Sequence, residues 1–215
     1  MVNKFLDELE SVLKNELPGK KAQMLMAPSL RIPGISNISK KRARDCGVLI
    51  LLYKYNNDIN TVFILRTSKG PHSGEISLPG GKKEKDDISI QHTALRECRE
   101  EIGSPGDEIR MLGRLSQLYV PFSNFIINPY IAYINYKPEF IPNPREVEDI
   151  IEVSLKDLFS KENQSSKTLR LAFFKINAPY FDVKGQHIWG ATAMILSELQ
   201  EILKKAPSFR KLNEQ

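Results

Sequence analysis

Apolar residues recur every three or four positions in two parts of the chain, and this spacing predicts helices. The first predicted helix runs from Phe5 to Leu17 and ends at the Pro-Gly pair that follows it. The second covers about residues 191–204, and its inward-facing side chains are Met194, Ile195, Leu199 and Ile202. Residues 26–44 are rich in Pro, Ser and Lys and show no periodicity, so we interpret them as a linker on the surface.

The middle of the chain combines apolar, β-branched runs with turn signals, which is typical of a sheet. Residues 48–55 and 61–67 flank an Asn-Asn-Asp turn and predict two neighbouring strands. Further strands are predicted over residues 109–118, 125–136, 150–155 and 168–176. Strands interleaved with long helices indicate an α/β or α+β sandwich.

A further helix is predicted in the centre of the chain, where it runs to Ile102 and ends at Gly103. Three residues can cap its start: Asp86, Asp87 and Ser89. An apolar stripe along this helix consists of Leu95, Cys98 and Ile102. The stripe predicts that one face of the helix packs on the core.

Three acids of the same helix, Glu97, Glu100 and Glu101, fall at i, i+3 and i+4, so they share a face that we expect to point outward. Their like charges repel one another, which favours a bound cation. Mg2+ takes oxygen ligands and bridges carboxylates to substrate phosphates. The alternative is a solvated acidic face offset by the two arginines of this helix. A glycine pair shortly upstream favours the metal site.

Composition places the chain among ordinary globular proteins. It has 215 residues, of which 41% are hydrophobic and 27% charged, and this suffices for one well-buried domain. No run of about eighteen apolar residues is present, and the N-terminal segment resembles neither a signal peptide nor a transit peptide. We therefore expect no membrane span and a cytoplasmic location. The two cysteines predict no disulfide scaffold, and both are expected in the core.

The net charge of +5 suits an anionic partner, either a nucleotide or a nucleic acid. Any single basic cluster, such as Lys40, Lys41 and Arg42 with Arg44, is better explained as solvated surface. Lys82 and Lys83 differ because they follow the glycine pair, which places them near any bound phosphate. The sequence shows no RNA-binding aromatic motif and no helix-turn-helix signal, so a nucleic acid is not the partner we expect.

The segment around the central helix resembles the Nudix box, written GX5EX7REUXEEXGU with U a bulky aliphatic residue. Five residues match its second half: Arg96, Glu97, Glu100, Glu101 and Gly103. The stretch from Gly81 to Arg96 is one residue longer than the pattern, and the upstream acid has no direct counterpart. Asp87 is the nearest acid, with Glu84 and Asp86 close to it.

Other segments are similar to the coenzyme A pyrophosphatase branch of the family, which tends to show LLTxRS, then HxGxxxFPGG, then GGKxDxxD. This chain has FILRTS at residues 63–68 and HSGEISLPGG at residues 72–81, where Leu78 replaces the usual Phe. Three later segments share the resemblance: residues 118–129, 143–155 and 188–193. The similarity covers about residues 45–203.

The resemblance implies the Nudix fold, in which a mixed β-sheet is sandwiched between helices. It places a Nudix hydrolase domain at residues 45–205. An N-terminal helix and linker at residues 1–44 would pack on this domain, and residues 206–215 would form a polar tail. Because some family members pair as dimers, a homodimer is also an expectation by resemblance.

The resemblance further implies hydrolysis of a nucleoside diphosphate derivative with Mg2+ or Mn2+ as cofactor. Glu97 and Glu101 would be the primary metal ligands. Glu100 would be a third ligand, direct or through water, and the Gly81 carbonyl would complete the shell. Glu97 would also orient or deprotonate the attacking water, and the sequence does not separate a base from a ligand.

The remaining predicted roles concern the loops around the helix. Arg96 would pair with a nearby acid and hold the loop, and Asp87 would replace the missing upstream acid. Five residues would contact the substrate: Arg66, His72, Lys82, Ser123 and Asn124. The alternatives are a solvated histidine at position 72 and simple turn capping at positions 123 and 124. Glu146 would be a remote base or a partner in a loop salt bridge.

The leading hypothesis is an enzyme that cleaves coenzyme A or acyl-CoA to 3′,5′-ADP and (acyl-)phosphopantetheine. A second hypothesis is a family member acting on ADP-ribose, a dinucleotide or a dNTP. A third is a non-catalytic module that binds nucleotides or RNA, which the basic charge favours. The three retained glutamates argue against this third reading, because a pure binding module does not need them.

Overall fold

The computed structural model describes residues 2–29, 43–68, 73–106, 108–171 and 174–209. Its helices are α1 (Val2–Leu13), α2 (Gly19–Gln23), α3 (Ile90–Ile102), α4 (Leu155–Leu158) and α5 (Gly190–Leu203). Its first strands are β1 (Arg44–Tyr55), β2 (Asp58–Arg66), β3 (Ile76–Ser77), β4 (Gly80–Lys82), β5 (Arg110–Arg114) and β6 (Leu118–Val120). The later strands are β7 (Phe125–Ile134), β8 (Val147–Ser154), β9 (Gln164–Leu171), β10 (Phe174–Val183) and β11 (Gln186–Trp189).

The larger of two sheets is mixed and has eight strands, with β3-β2-β1-β7-β5 as its main path. Strands β1 and β7 are parallel, whereas β1 pairs with β2 and β4 in antiparallel fashion. The smaller sheet is antiparallel, in the order β11-β10-β9. The predicted fold class, a mixed sheet with helices on its faces, is therefore confirmed.

Two hydrophobic cores lie on opposite faces of the larger sheet, because successive side chains of a strand alternate between its faces. Val48, Ile50 and Leu52 of β1 belong to the first core, together with α1, α5 and the smaller sheet. Leu49 and Leu51 belong to the second core, which α3 covers. Strand β1 is thus buried on both sides and fixes the position of α3 relative to the sheet.

Helix α3 has the ends that its sequence predicts. The Ser89 hydroxyl caps the start by accepting a hydrogen bond from the His92 amide at 3.0 Å. Gly103 ends the helix in the left-handed conformation, with a φ of 67°. Of the three predicted caps, Ser89 is the residue used.

Gly47 lets α3 approach β1 closely. A Cβ atom at this position would lie 2.5 Å from the Ile90 carbonyl oxygen and 2.9 Å from the Ala94 amide nitrogen. Both atoms belong to the helix backbone and cannot move aside without shifting α3. The small residue therefore sets the distance between the helix and the sheet.

Several predicted boundaries were wrong. Residues 168–176, predicted as one strand, are divided between the antiparallel strands β9 and β10, with Leu171 paired to Phe174. The alternation from Leu169 to Lys175 contains no Gly, Pro or Asn, so the sequence does not mark the end of β9. Residues 109–118 are divided between β5 and β6. Helix α1 ends at Leu13 rather than at residue 17, since the Asn15 side chain donates to the Ser11 carbonyl at 2.8 Å.

The residues after α5 pack on the core where a polar tail was expected to begin. Ala206 is fully buried and Phe209 is 8% exposed, and the Phe209 ring lies 5.7 Å from that of Phe5. Glu8 of α1 accepts hydrogen bonds from the amide and the hydroxyl of Ser208, each at 2.8 Å. Residues 210–215 and most of the predicted linker, residues 30–42, lie outside the described residues. None of the described helices is long and apolar enough to cross a membrane.

A buried carboxylate joins the N-terminal segment to the rest of the domain. Glu198 of α5 is fully buried and accepts hydrogen bonds from three groups. These are the Gly19 amide at 3.1 Å, the Gln23 side chain at 2.9 Å and the Ser116 amide at 3.2 Å. A buried acid whose donors are all present stabilises the contact among three segments distant in sequence.

We predict that Glu198→Ala lowers the free energy of unfolding by about 2–4 kcal/mol, because three buried donors lose their acceptor. Urea denaturation of the purified chain measures this change. Glu201→Ala, three residues along the same helix, removes a surface pair with Lys204 and is expected to cost less than about 0.5 kcal/mol. Equal effects of the two substitutions would show that Glu198 is not a structural junction.

Candidate active site

The backbone of Gly80 and Gly81, at the start of β4, lies against the acidic face of α3. These two residues are called the glycine turn below. A Cβ atom on Gly81 would lie 2.3 Å from a carboxylate oxygen of Glu97. One on Gly80 would lie 2.5 Å from the Gly47 carbonyl oxygen, and Gly80 has a φ of 154° that side chains rarely adopt. Only glycines allow this close contact between the turn and Glu97.

Glu101 is buried beneath the same turn and does not point outward as expected. Its side chain is 1% exposed, and one of its oxygens accepts a hydrogen bond from the Gly80 amide at 2.8 Å. Arg66 is its cationic neighbour, at 3.7 Å. Burial raises the pKa of Glu101 to about 8, although the Gly80 amide and Arg66 oppose the change. The position follows from the close packing of α3 on the sheet.

Glu97 lies between the turn and the arginine of its own helix. Its side chain is 13% exposed, and it pairs with Arg96 at 3.0 Å. Burial raises the pKa of Glu97, Arg96 lowers it, and the charges of Glu100 and Glu146 raise it further. The charges of Glu97 and Glu146 also raise the pKa of Glu101. Acidic groups therefore cluster around the glycine turn, and the charge of each one disfavours ionisation of the others.

Glu100 is placed differently from the other two glutamates. Its side chain is 53% exposed and accepts a hydrogen bond from Arg96 at 2.8 Å. The structure brings Glu97 and Glu101 to the glycine turn but leaves Glu100 facing solvent. Over the described part of the chain, no three His, Cys, Asp or Glu side chains converge as a complete metal centre.

Asp87 is the anchor of the loop before α3. Its side chain is 1% exposed, and Arg96 binds both of its oxygens, through Nε and Nη2, at 3.0 Å each. The Glu84 amide and the Thr93 hydroxyl donate to it at 2.9 Å, and a ring nitrogen of His92 lies at 2.9 Å. The Arg96 guanidinium holds the pKa of Asp87 well below its usual range.

Arg96 connects this anchor to the site. Besides Asp87, it contacts Glu97, Glu100 and the Lys82 carbonyl oxygen, the last at 3.2 Å. Its several donors suit this role, because a planar guanidinium can bind several acceptors at once. The predicted pairing of Arg96 with a nearby acid is present, and it orients Glu97 toward the turn.

The donor groups at the turn suit a hard divalent cation. Two carboxylates lie against one glycine turn, and each has a pKa raised by burial. A cation with two positive charges would offset this negative charge and accept oxygen ligands from Glu97, Glu101 and a backbone carbonyl such as that of Gly81. The residues present therefore fit the predicted Mg2+ or Mn2+.

The predicted substrate contacts have different surroundings. Arg66 lies beside Glu101, and the exposed Lys82 directly follows the glycine pair. Asn124 has a φ of 52°, and its carbonyl accepts from the Arg44 amide at 3.0 Å. The Ser123 carbonyl lies 3.5 Å from the Arg44 guanidinium. Ser123 and Asn124 thus form a turn against β1, and their contact with substrate stays a prediction.

His72 lies outside the described residues, so its predicted role is untested. Sequence reasoning missed Arg44 and Phe125, which lie beside Lys82. The sequence places Arg44 in a basic cluster that is better explained as solvated surface. Its pairing with Phe125 depends on the register of two parallel strands, which no local pattern reveals. Cys98 is buried in the core as predicted, whereas Cys46 is only partly buried.

Comparison with known proteins identifies relatives over most of the chain. Residues 44–172 match the family profile described as NUDIX domain. The chain is 34% identical over 193 residues to Nudix hydrolase 15, mitochondrial, from Arabidopsis thaliana, covering 86% of this chain and 66% of that protein. It is 32% identical over 170 residues to the human protein named Mitochondrial coenzyme A diphosphatase NUDT8, covering 76% of this chain and 71% of that protein.

One solved structure gives an independent view of the fold. A MutT/nudix family protein from Enterococcus faecalis matches with a TM-score of 0.54 at 16% identity, covering 85% of this chain and 70% of that chain. Identity at this level bears on the fold alone. The fold and the family profile agree with the resemblance read from the sequence.

Alanine substitutions at Gly81 and Gly47, the two glycines that contact α3, are expected to have opposite effects on activity and stability. In Gly81→Ala the new methyl group meets the mobile end of Glu97, so the unfolding free energy changes by less than about 1 kcal/mol. Hydrolysis of a nucleoside diphosphate derivative falls at least about tenfold, because Glu97 is displaced. In Gly47→Ala the methyl group meets the helix backbone, and stability falls by about 2–3 kcal/mol. Urea denaturation and a hydrolysis assay measure both effects.

If Gly81→Ala instead unfolded the chain, or if it kept full activity, the position assigned to Glu97 would be wrong. Loss of stability in Gly47→Ala but not in Gly81→Ala would show that Gly47 is needed for the packing of α3. Gly81 would then be needed for the position of Glu97 rather than for stability.

Asp87→Asn is expected to lower the unfolding free energy by about 2–4 kcal/mol near neutral pH, since it leaves Arg96 without its principal carboxylate. The pKa of Asp87 is lowered in the folded state, so its stabilising effect is present above the unfolded pKa and is lost as pH falls. The difference between wild type and variant should therefore shrink below about pH 4. A difference that does not change with pH, measured by urea denaturation, would contradict the ion pair.

Proposed function

The chain belongs to the Nudix hydrolase family, which acts on pyrophosphate bonds, and we propose that its substrate is coenzyme A or an acyl-CoA. The products are 3′,5′-ADP and (acyl-)phosphopantetheine. The observation that carries the hydrolytic part of this proposal is the pair Glu97 and Glu101 against the glycine turn, one of them fully enclosed. Glu101 is almost fully buried and its cationic neighbour Arg66 lies 3.7 Å away, so its charge is only partly offset and a bound divalent cation would stabilise it.

The residues of the site divide the work as follows. Glu97, Glu101 and the Gly81 carbonyl would hold a divalent cation. When bound, such a cation would lower the pKa of the attacking water and offset charge on the phosphoryl oxygens. The Gly80 amide fixes the orientation of Glu101, and Arg96 fixes that of Glu97.

The proton of the attacking water has two candidate acceptors. Glu97 lies at the turn itself, and its raised pKa makes it a better base than an exposed glutamate. Glu146 is exposed on the loop before β8, and its charge acts on both Glu97 and Glu101. We propose Glu97 for this role and treat Glu146 as an electrostatic neighbour.

The choice of coenzyme A rests on three supports. The segments at residues 63–68 and 72–81 are similar to the coenzyme A pyrophosphatase branch. A relative at 32% identity is named as a coenzyme A diphosphatase. The basic side chains of Arg44 and Lys82 lie near the glycine turn and suit a substrate with several phosphates.

We predict that Glu101→Gln reduces Mg2+-dependent hydrolysis of coenzyme A at least about 100-fold, because a neutral amide binds the cation poorly. The melting temperature should not fall, since burial already disfavours the charged form of Glu101 and the amide oxygen can still accept from Gly80. Glu162→Gln, at an exposed acid distant in sequence, is the control and should keep full activity. An undiminished rate in Glu101→Gln would remove Glu101 from the site.

The substrate assignment is tested with the wild-type chain and a panel of coenzyme A, dephospho-CoA, NADH, ADP-ribose and dNTPs. We expect the highest kcat/KM for coenzyme A with Mg2+ or Mn2+. An equal or higher value for ADP-ribose would overturn the coenzyme A assignment while leaving the family activity intact. RNA binding without hydrolysis of any of these compounds would favour a non-catalytic module.

A further inference from the structure

We propose that Arg44 and Lys82 bind a phosphate monoester that the substrate carries on its nucleoside, apart from the diphosphate that is hydrolysed. The proposal rests on the proposed function, because coenzyme A has such a group on its ribose and dephospho-CoA lacks it. It assigns these two residues to the choice between substrates rather than to bond cleavage.

The two cations gather around one aromatic ring. Arg44 begins β1 and pairs in register with Phe125 at the start of the parallel strand β7. The Arg44 guanidinium carbon lies 4.5 Å from the centre of the Phe125 ring, and the Lys82 ammonium lies 5.7 Å from it. The two charges are therefore within about 10 Å of each other, close enough to approach one phosphate with small side-chain movements.

Among the residues that the structure describes, no acid neutralises either charge. By contrast, Arg66 forms an ion pair with Glu101. Arg96 forms ion pairs with Asp87, Glu97 and Glu100. In the part of the chain that the structure describes, Arg44 and Lys82 form no ion pair with an acid. Both side chains are exposed, which leaves them available to an anionic ligand.

The alternation of side chains sets these cations apart from the metal-binding carboxylates. Gly81 faces Glu97 and α3, so the next residue of the strand, Lys82, points to the opposite face. Lys82 pairs with Cys46, which lies two residues after Arg44 and therefore on the same face of β1. A ligand at Arg44 and Lys82 would thus lie beside the diphosphate site and not within it.

An exposed aromatic residue indicates what kind of phosphate would bind. Phe122 is 65% exposed and lies next to Ser123 in the same turn. The carbonyls of Ser123 and Asn124 in this turn accept hydrogen bonds from Arg44. Aromatic rings next to cations bind nucleosides well, because the base can stack while the phosphate pairs with the charges. This combination favours a phosphorylated nucleoside over a simple inorganic anion.

The test compares kcat/KM for coenzyme A and dephospho-CoA, with Mg2+, in the wild type and in Arg44→Gln and Lys82→Gln. We expect each variant to lose about tenfold on coenzyme A, mainly through KM, and less than about threefold on dephospho-CoA. Lys54→Gln changes an exposed lysine at the other end of β1 and is the matched control, with no change beyond about twofold on either substrate.

A binding measurement does not depend on turnover. By calorimetry, the wild type should bind adenosine 3′,5′-bisphosphate about tenfold more tightly than AMP, and the Arg44→Gln/Lys82→Gln double variant should bind both equally. Equal losses on coenzyme A and dephospho-CoA would place the cations on the diphosphate and overturn the proposal, as would unchanged kinetics. If the wild type hydrolyses neither compound, the proposed function fails, and the calorimetry alone then decides this inference.

Discussion

The close packing of helix α3 on two glycine-containing strands determines where the negative charge of the site lies. Gly47 accepts the helix backbone, and Gly81 accepts the Glu97 carboxylate at a distance that excludes any side chain. This contact encloses Glu101, which becomes a buried acid bonded to the Gly80 amide. Without it, the glutamates of α3 would form an ordinary solvated face with little reason to bind a cation.

Charge around this contact is divided between two groups of basic residues. Arg66 and Arg96 form ion pairs with carboxylates. Arg96 also connects the helix to the Asp87 loop and donates a hydrogen bond to the Lys82 carbonyl. Arg44 and Lys82 gather at Phe125 on the opposite face of their strands. The first group holds the carboxylates of the proposed metal site in place, and the second consists of exposed side chains that we propose contact the substrate. A basic net charge alone does not distinguish these two uses.

The sequence predicted features that depend on local geometry. The i, i+4 spacing of Glu97 and Glu101, the Ser89 cap and the Gly103 end all lie within one helix, so the helical repeat is sufficient to place them. The burial of Glu101 could not be predicted, because it depends on the pairing of β4 with β1. The contact of Arg44 with Phe125 joins residues about 80 positions apart, and no Gly, Pro or Asn between Leu169 and Lys175 marks the end of β9.

A crystal structure of the chain grown with Mn2+, with anomalous scattering recorded at the manganese edge, tests the central claim most directly. The account predicts a manganese peak bonded to the carboxylates of Glu97 and Glu101, beside the glycine turn of β4. A map without a peak at that position, in a crystal where manganese is bound elsewhere, would contradict the claim that this buried acidic pair is a divalent cation site.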